Sequence, residues 1–285
     1  MTQPATAPVL FDRHLLARRQ RRAAHGPETF LLERVAEDLG DRLAAVNRTF
    51  TDVADVWTPG AGLKPYLPGS ISQLAHIAPP DTADERLPLT PQSLDLALSA
   101  LAFQFVNDLP GLLVQIRRAL RPDGLLLAAM IGGDTLTELR QSFAAAEAEC
   151  EGGVSPRVAP FADLRDIGGL LQRAGFALPV TDVDRVVVRY GSAFGLMQDL
   201  RRMGAANSLV ERRRTPLRRA TLLRMAEIYA ERFADPDGRI RATFDIIWIS
   251  GWSPHDSQQK PLKPGSATAS LEAAVKRVPH SNEGD

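Results

Sequence analysis

The chain has 285 residues, of which 44% are apolar and 24% charged, enough to bury one sizeable core because folded surface grows more slowly than chain length. Thirty-four basic residues balance 34 acidic ones, so the molecule as a whole lacks the positive field of a nucleic-acid-binding protein. A single cysteine, Cys150, excludes an internal disulfide and any multi-thiolate metal site. No apolar run approaches the roughly 18 to 20 residues that cross a bilayer, and the start lacks an apolar signal core. A cytoplasmic, soluble and unsecreted chain is expected.

The first nine residues are Ala-, Pro- and Thr-rich and expected to fray. Residues 11–24 set Leu15 and Leu16 among Arg13, Arg18, Arg19, Arg21 and Arg22 at helical spacing. A transit peptide, a basic docking helix and a solvated helix face all fit that run, and the solvated face is the default for a charge run. Residues 30–43 form a second helix with Leu31, Leu32, Val35, Leu39 and Leu43 on one side.

The period then changes. Residues 51–57 suggest a strand, Pro59-Gly60-Ala61-Gly62 a turn, and residues 71–77 a second strand. The nearly continuous apolar runs 94–99 and 125–131 suit strands covered on both faces. Between them Asp108 and Pro110 start a helix striped by Leu112, Leu113, Ile116, Ala119 and Leu120, which Arg121-Pro122-Asp123-Gly124 ends. Helix and strand lengths alternating in this way imply βαβ units around a mostly parallel sheet, an α/β Rossmann-like fold with helices on both faces. Residues 136–150 and 163–174 continue as helices, and 181–190 and 243–250 as strands, with an arginine-rich helical insertion between those strands. The expected organisation is an N-terminal helical segment (1–48), a main domain (49–253) with an insertion (192–235), and a tail (254–285) without a core pattern, expected to end disordered.

The run Glu85-Arg86-Leu87-Pro88, Ser93 through Ser99 (SLDLALS), and Leu120 through Leu125 (LRPDGL) resembles the conserved blocks of class I S-adenosylmethionine-dependent methyltransferases. More narrowly, FDRHLLARRQRRAA (11–24), FVNDLP (105–110), GGDTLTELR (132–140), EGGVSPRVAPF (151–161), DLRRMGAANSLVERRR (199–214) and GWSPHDSQQKPLKPGSA (251–267) resemble the complex I assembly factor 5 family and its bacterial relatives. That family is similar in turn to the carrier-protein methyltransferases of biotin synthesis. The resemblance implies a seven-stranded sheet with an antiparallel last strand, and S-adenosylmethionine at the carboxyl ends of strands one, two and four. It also implies work on a respiratory complex I peripheral-arm subunit, through hydroxylation of an arginine.

Candidate site residues follow the sheet's ligand edge. The cofactor loop spans Asp55-Val56-Trp57-Thr58-Pro59-Gly60-Ala61-Gly62, with Trp57 where a first glycine is expected and Pro59 lacking an amide. Gly60 and Gly62 keep a Gly-x-Gly spacing that suits either a cofactor or an ordinary turn. The stretch from Gly62 to Glu85 is too short for a full helix plus two strands, and Asp84 or Glu85 would contact the adenine side or be exposed loop carboxylates. Ser99 and Ala100 open residues 99–105, a segment that resembles the family's stretch lining the cofactor and substrate, while Phe103 and Phe105 suit the core. Asp134 or Glu138 would meet the planar fork of a substrate arginine, with a helix N-cap as the other role of Asp134. His255 is a candidate base or a structural histidine. No histidine pair has metal-ligand spacing, so no metal site is expected and no group that activates an oxidant is identifiable. Three classes fit: an S-adenosylmethionine enzyme acting on an arginine or a small carboxylate, an assembly protein that has lost the cofactor, and a basic-surface adaptor.

Overall fold

The computed structural model describes residues 9–60, 62–71 and 73–259. The first eight residues, Ala61 of the glycine turn, Ser72 of the expected second strand and the tail from residue 260 lie outside them. By contact density the chain up to Pro254 is one compact unit, and a second unit begins at His255.

Two helices lead. Helix α1 (Arg13–Ala23) starts at Asp12, whose side chain accepts the Leu15 amide, and α2 (Phe30–Ala44) buries Leu31, Val35, Leu39 and Leu43 along one stripe. The strands are β1 (Val53–Val56), β2 (Leu74–Ile77), β3 (Leu94–Ala100), β4 (Leu120–Gly132), β5 (Ala177–Tyr190) and β6 (Ile240–Trp252). They form one sheet in the order β2-β1-β3-β4-β6-β5, in which β6 runs antiparallel to β4 and β5 and the first three pairings are parallel.

Burial on both faces explains the apolar runs. Leu125, Leu127, Ala129 and Ile131 point into the core cluster shared with α2, while Leu126, Ala128 and Met130 point into the opposite cluster, the two-residue alternation of a strand. Helices α4 (Thr137–Glu151), α6 (Ala193–Arg202) and α7 (Arg219–Phe233) join α2 on the first face. Helices α3 (Leu109–Ala119) and α5 (Leu164–Arg173) cover the second. The Arg-Pro-Asp-Gly turn expected to stop α3 is absorbed into the start of β4, with Asp123 at φ 65°.

The expected seven strands are six among the described residues. Residues 78–93, where another strand would run, contain Pro79, Pro80, Pro88 and Pro91, and each proline removes a ladder donor. The four-residue β2, half-buried at best, is therefore the sheet's edge.

Candidate functional site at the carboxyl edge of the sheet

From β1 the chain passes outward to β2 and then crosses back to β3 on the other side of β1. The crevice of an open α/β sheet lies where the order reverses in this way. Three bulky residues at this edge take positive φ: Trp57 after β1 (65°), Leu101 after β3 (52°) and Leu136 after β4 (54°). Each costs about 1 to 3 kcal/mol, and such strain concentrates at functional sites. Each is held by a backbone bond: Trp57 N–H donates to the Ile77 carbonyl, Leu101 to Ala129 and Leu136 to Thr243, each over 2.8 Å.

Two hydroxyls stitch the ends of β1 and β3 together. Ser99 Oγ donates to the Val56 carbonyl (2.8 Å), and Thr58 Oγ1 accepts the Ala100 amide (2.9 Å). Ser99 and Ala100, candidates for the cofactor, are thus engaged in joining strands. Trp57, 2% exposed, drives its ring into the core cluster covered by α3 and α5 instead of leaving a glycine gap.

Gly60 and Gly62 both lie in the left-handed region, at φ 75° and 76°. A Cβ on Gly62 would sit 2.8 Å from Asp55 Oδ2 and 3.3 Å from His76 Nδ1, so the turn requires glycine there. The fully buried Asp55 accepts from the Leu63 amide (3.2 Å) and lies 3.1 Å from His76 Nδ1 through that same oxygen. Its other oxygen, Oδ1, is buried without a hydrogen-bond partner. Asp55 was not a site candidate from sequence; its signal is its place as the acid that opens the loop pattern.

The carboxylates after β2 are all engaged. Asp81 lies 3.8 Å from Arg21, and Asp84 accepts from Arg86 Nε at 3.0 Å. The Glu85 side chain is largely covered, not that of an exposed loop acid: it accepts the amides of Asn107 (3.0 Å) and Asp108 (2.9 Å) just ahead of α3, and Arg13 Nε lies 3.6 Å away. Phe103 is buried in the core, and Phe105 packs edge-to-face on Phe11 at 5.9 Å.

Beyond β4, Asp245 of β6 organises the Gly-Gly-Asp turn. It accepts the Asp134 amide at 2.9 Å and Arg185 Nε at 2.7 Å. Burial pushes its carboxyl up, but the Arg185 guanidinium and the Asp134 amide more than offset this and hold it below the usual carboxylate range. Arg185, whose own pKa is raised by Asp245 and then Asp134, donates its Nη2 to Asp134 Oδ2 at 2.9 Å. Asp134 is a surface carboxylate, 70% exposed, already holding a guanidinium; it is not the helix cap, since Leu136 occupies the position before α4. Glu138 instead points into the core, where it accepts the amide and hydroxyl of Thr243. His255 is exposed, and its Nδ1 accepts the Ser257 amide at 3.2 Å within a local turn.

The insertion's arginines are largely answered within the chain. Arg202 pairs with Glu28, Arg212 with Asp12, Arg213 with Glu151, and Arg224 with Glu149, Glu227 and Glu231. Arg201, Arg214, Arg218 and Arg219 remain exposed.

A mostly parallel sheet with its order reversing beside a Gly-x-Gly turn, closed by an antiparallel strand, defines a class I S-adenosylmethionine-methyltransferase fold. A family model described as a methyltransferase domain matches residues 74–128. Relatives cover far more. The chain is 39% identical to "Arginine-hydroxylase NDUFAF5, mitochondrial" of Danio rerio over 85% of its own length and 81% of the relative's. It is 38% identical to the protein of that name from Homo sapiens over 95% and 84%. The chain belongs to the NDUFAF5 arginine-hydroxylase family. A malonyl-[acyl-carrier protein] O-methyltransferase of Laribacter hongkongensis is 39% identical over 64% of this chain and 58% of that one. No described helix is long and apolar enough to cross a membrane.

Proposed function

We propose that this chain acts at the carboxyl edge of its sheet on an arginine side chain of a respiratory complex I peripheral-arm subunit, and so takes part in building that complex. The observation that carries this reading is the likeness to arginine-hydroxylases over nearly the whole chain. The strained ends of β1, β3 and β4 support the edge as the working surface.

The residues here fit S-adenosylmethionine better at one end than at the other. The left-handed Gly60 and Gly62 turn and the unpartnered Asp55 Oδ1 suit an ammonium group. The adenosine end fits less well: of the carboxylates after β2, Glu85 is held by the Asn107 and Asp108 amides beside Arg13, and Asp81 and Asp84 are surface acids facing Arg21 and Arg86. We infer weak cofactor affinity. Asp134 is the acid best placed to receive an arginine, since it is 70% exposed and meets Arg185 through Oδ2. Cytoplasmic residence is part of this proposal.

The test is mass spectrometry of peripheral-arm arginines in a strain lacking the gene. An arginine that loses the mass of one oxygen, together with less assembled complex I, is expected; loss of a methylene would mean methyl transfer instead. The likeness to the malonyl-carrier-protein methyltransferase favours a second reading, action on a small carboxylate. A deletion strain that needs biotin while its complex I stays normal would replace the first reading with the second.

A further inference from the structure

The arginine run of α1 has one member unlike the rest. Arg18, Arg21 and Arg22 are exposed and Arg19 is half-buried, but Arg13 is 5% exposed. Its guanidinium reaches the crevice where the ends of the first three strands meet. Nη1 donates to the Phe105 carbonyl after β3 (3.1 Å) and Nη2 to the Pro80 carbonyl after β2 (3.2 Å). Its Cζ lies 5.5 Å from the ring centroid of Trp57 after β1, and Glu85 supplies the opposite charge at 3.6 Å from Nε.

We propose that this cluster is a guanidinium-binding slot, that Arg13 is its internal occupant, and that an arginine of a partner protein enters by displacing it. The proposal rests on the reading that the chain works on arginine. Two carbonyls set for the two Nη groups, an acid on the Nε side and an aromatic face answer the planar donor fork of arginine, whereas a lysine ammonium would meet them as a point charge. Strained Trp57 gains a role in this arrangement, since its ring lies within cation–π reach of the guanidinium.

Arg13 fills the slot incompletely. Its Nε is buried without a hydrogen-bond partner, because Glu85 accepts from the amides of Asn107 and Asp108 and stands beyond hydrogen-bonding distance of Arg13. Burial lowers the pKa of Arg13, with Glu85 opposing. An unsatisfied buried donor favours exchange for an arginine free to seat better. The segment that delivers Arg13 is a strap tied at its rims. Leu10 and Phe11 amides donate to Asn107 Oδ1, Asp12 N–H donates to the Ser208 carbonyl, and Val210 N–H donates to the Leu10 carbonyl. An extended partner segment that took over the bonds of the strap would place its own arginine where Arg13 stands and would touch the insertion in doing so.

The experiment compares the full chain with its R13A variant. Ethylguanidinium is expected to raise the melting temperature of R13A, ethylammonium at equal ionic strength to leave it unchanged, and wild type to respond to neither. N-acetyl-argininamide is expected to bind R13A at least about tenfold more tightly than wild type by calorimetry, a difference of about 1.4 kcal/mol. A folded R13A that does not distinguish the two cations overturns the proposal. If R13A fails to fold, wild type decides: excess N-acetyl-argininamide must speed amide exchange at Leu15 and Leu16, and unchanged exchange overturns the slot. Guanidinium capture in a chain whose deletion alters no peripheral-arm arginine would remove the proposed function and leave the slot. A modified arginine with neither response would do the reverse.

Discussion

A Cβ on Gly133 would lie 2.6 Å from Oδ2 of Asp245, so the second glycine of the Gly-Gly-Asp turn is the space into which that carboxylate fits. Gly133 also sits at φ 54°, where a side chain costs about 1 to 2 kcal/mol. Gly133→Ala is therefore expected to lower unfolding free energy by about 2 to 4 kcal/mol in urea denaturation. Gly153→Ala, with nothing within 4 Å of its added Cβ, is the control and should stay within about 0.5 kcal/mol.

The opposite edge of the sheet predicts the acid limb of stability. Burial raises the Asp95 carboxyl, but the Thr51 hydroxyl, Arg121 and the amides of Asp52 and Thr51 outweigh it and bring the pKa from 3.8 down to about 2. A depressed folded pKa contributes stability above the unfolded value, lost as pH falls through the folded one. Asp95→Asn should cost at most about 2 kcal/mol near pH 6, the partly exposed Arg121 limiting it, and the difference should vanish between about pH 4 and pH 2. Urea titrations of both chains across that range check it; a constant difference would refute the assignment.

Strand and helix positions were legible because they rest on local periodicity. The runs 94–99 and 125–131 lie within β3 and β4, and the stripe from Leu112 to Ala119 is the buried face of α3. The site was less legible because its contacts are long-range. Arg13 sits in a run that reads as a solvated face, and only the fold brings it to Trp57 and Glu85, 44 and 72 positions further along the sequence. Glu138 looked available because Thr243, which claims it, is 105 residues distant. The sixth-strand limit was half visible: the gap after Gly62 is short, and four prolines between residues 78 and 93 supply the reason.

Trp57 sets the cofactor prediction. S-adenosylmethionine is expected to bind more weakly than low micromolar by calorimetry, because a buried indole and Pro59 stand where backbone amides would approach the ligand. Trp57→Gly should strengthen binding in the folded protein, and an unchanged affinity would count against the steric cause. Stability should fall all the same. Emptying the indole's place costs about 3 to 5 kcal/mol, against about 1 to 2 kcal/mol of relieved backbone strain, so a net loss of about 1 to 4 kcal/mol is expected.

The last prediction separates two acids four positions apart, one in the turn before α4 and one in its first turn. Glu138 gives both its oxygens to Thr243, so Glu138→Gln leaves an NH2 group facing a donor and should cost about 1 to 3 kcal/mol in urea. Asp134 is exposed and paired with an Arg185 that is itself 55% exposed, so Asp134→Asn should change stability by no more than about 1 kcal/mol. If Asp134 receives the substrate arginine, Asp134→Asn should lower the modified fraction of that arginine in cells while protein level and melting temperature hold. Glu138→Gln should lower the modified fraction only in proportion to the protein lost. The two changes must be made singly, because in the double variant lost folding would mask lost chemistry. Full modification in Asp134→Asn would remove the residue from the site, and loss of modification with complex I still assembled would separate the chemistry from the assembly role.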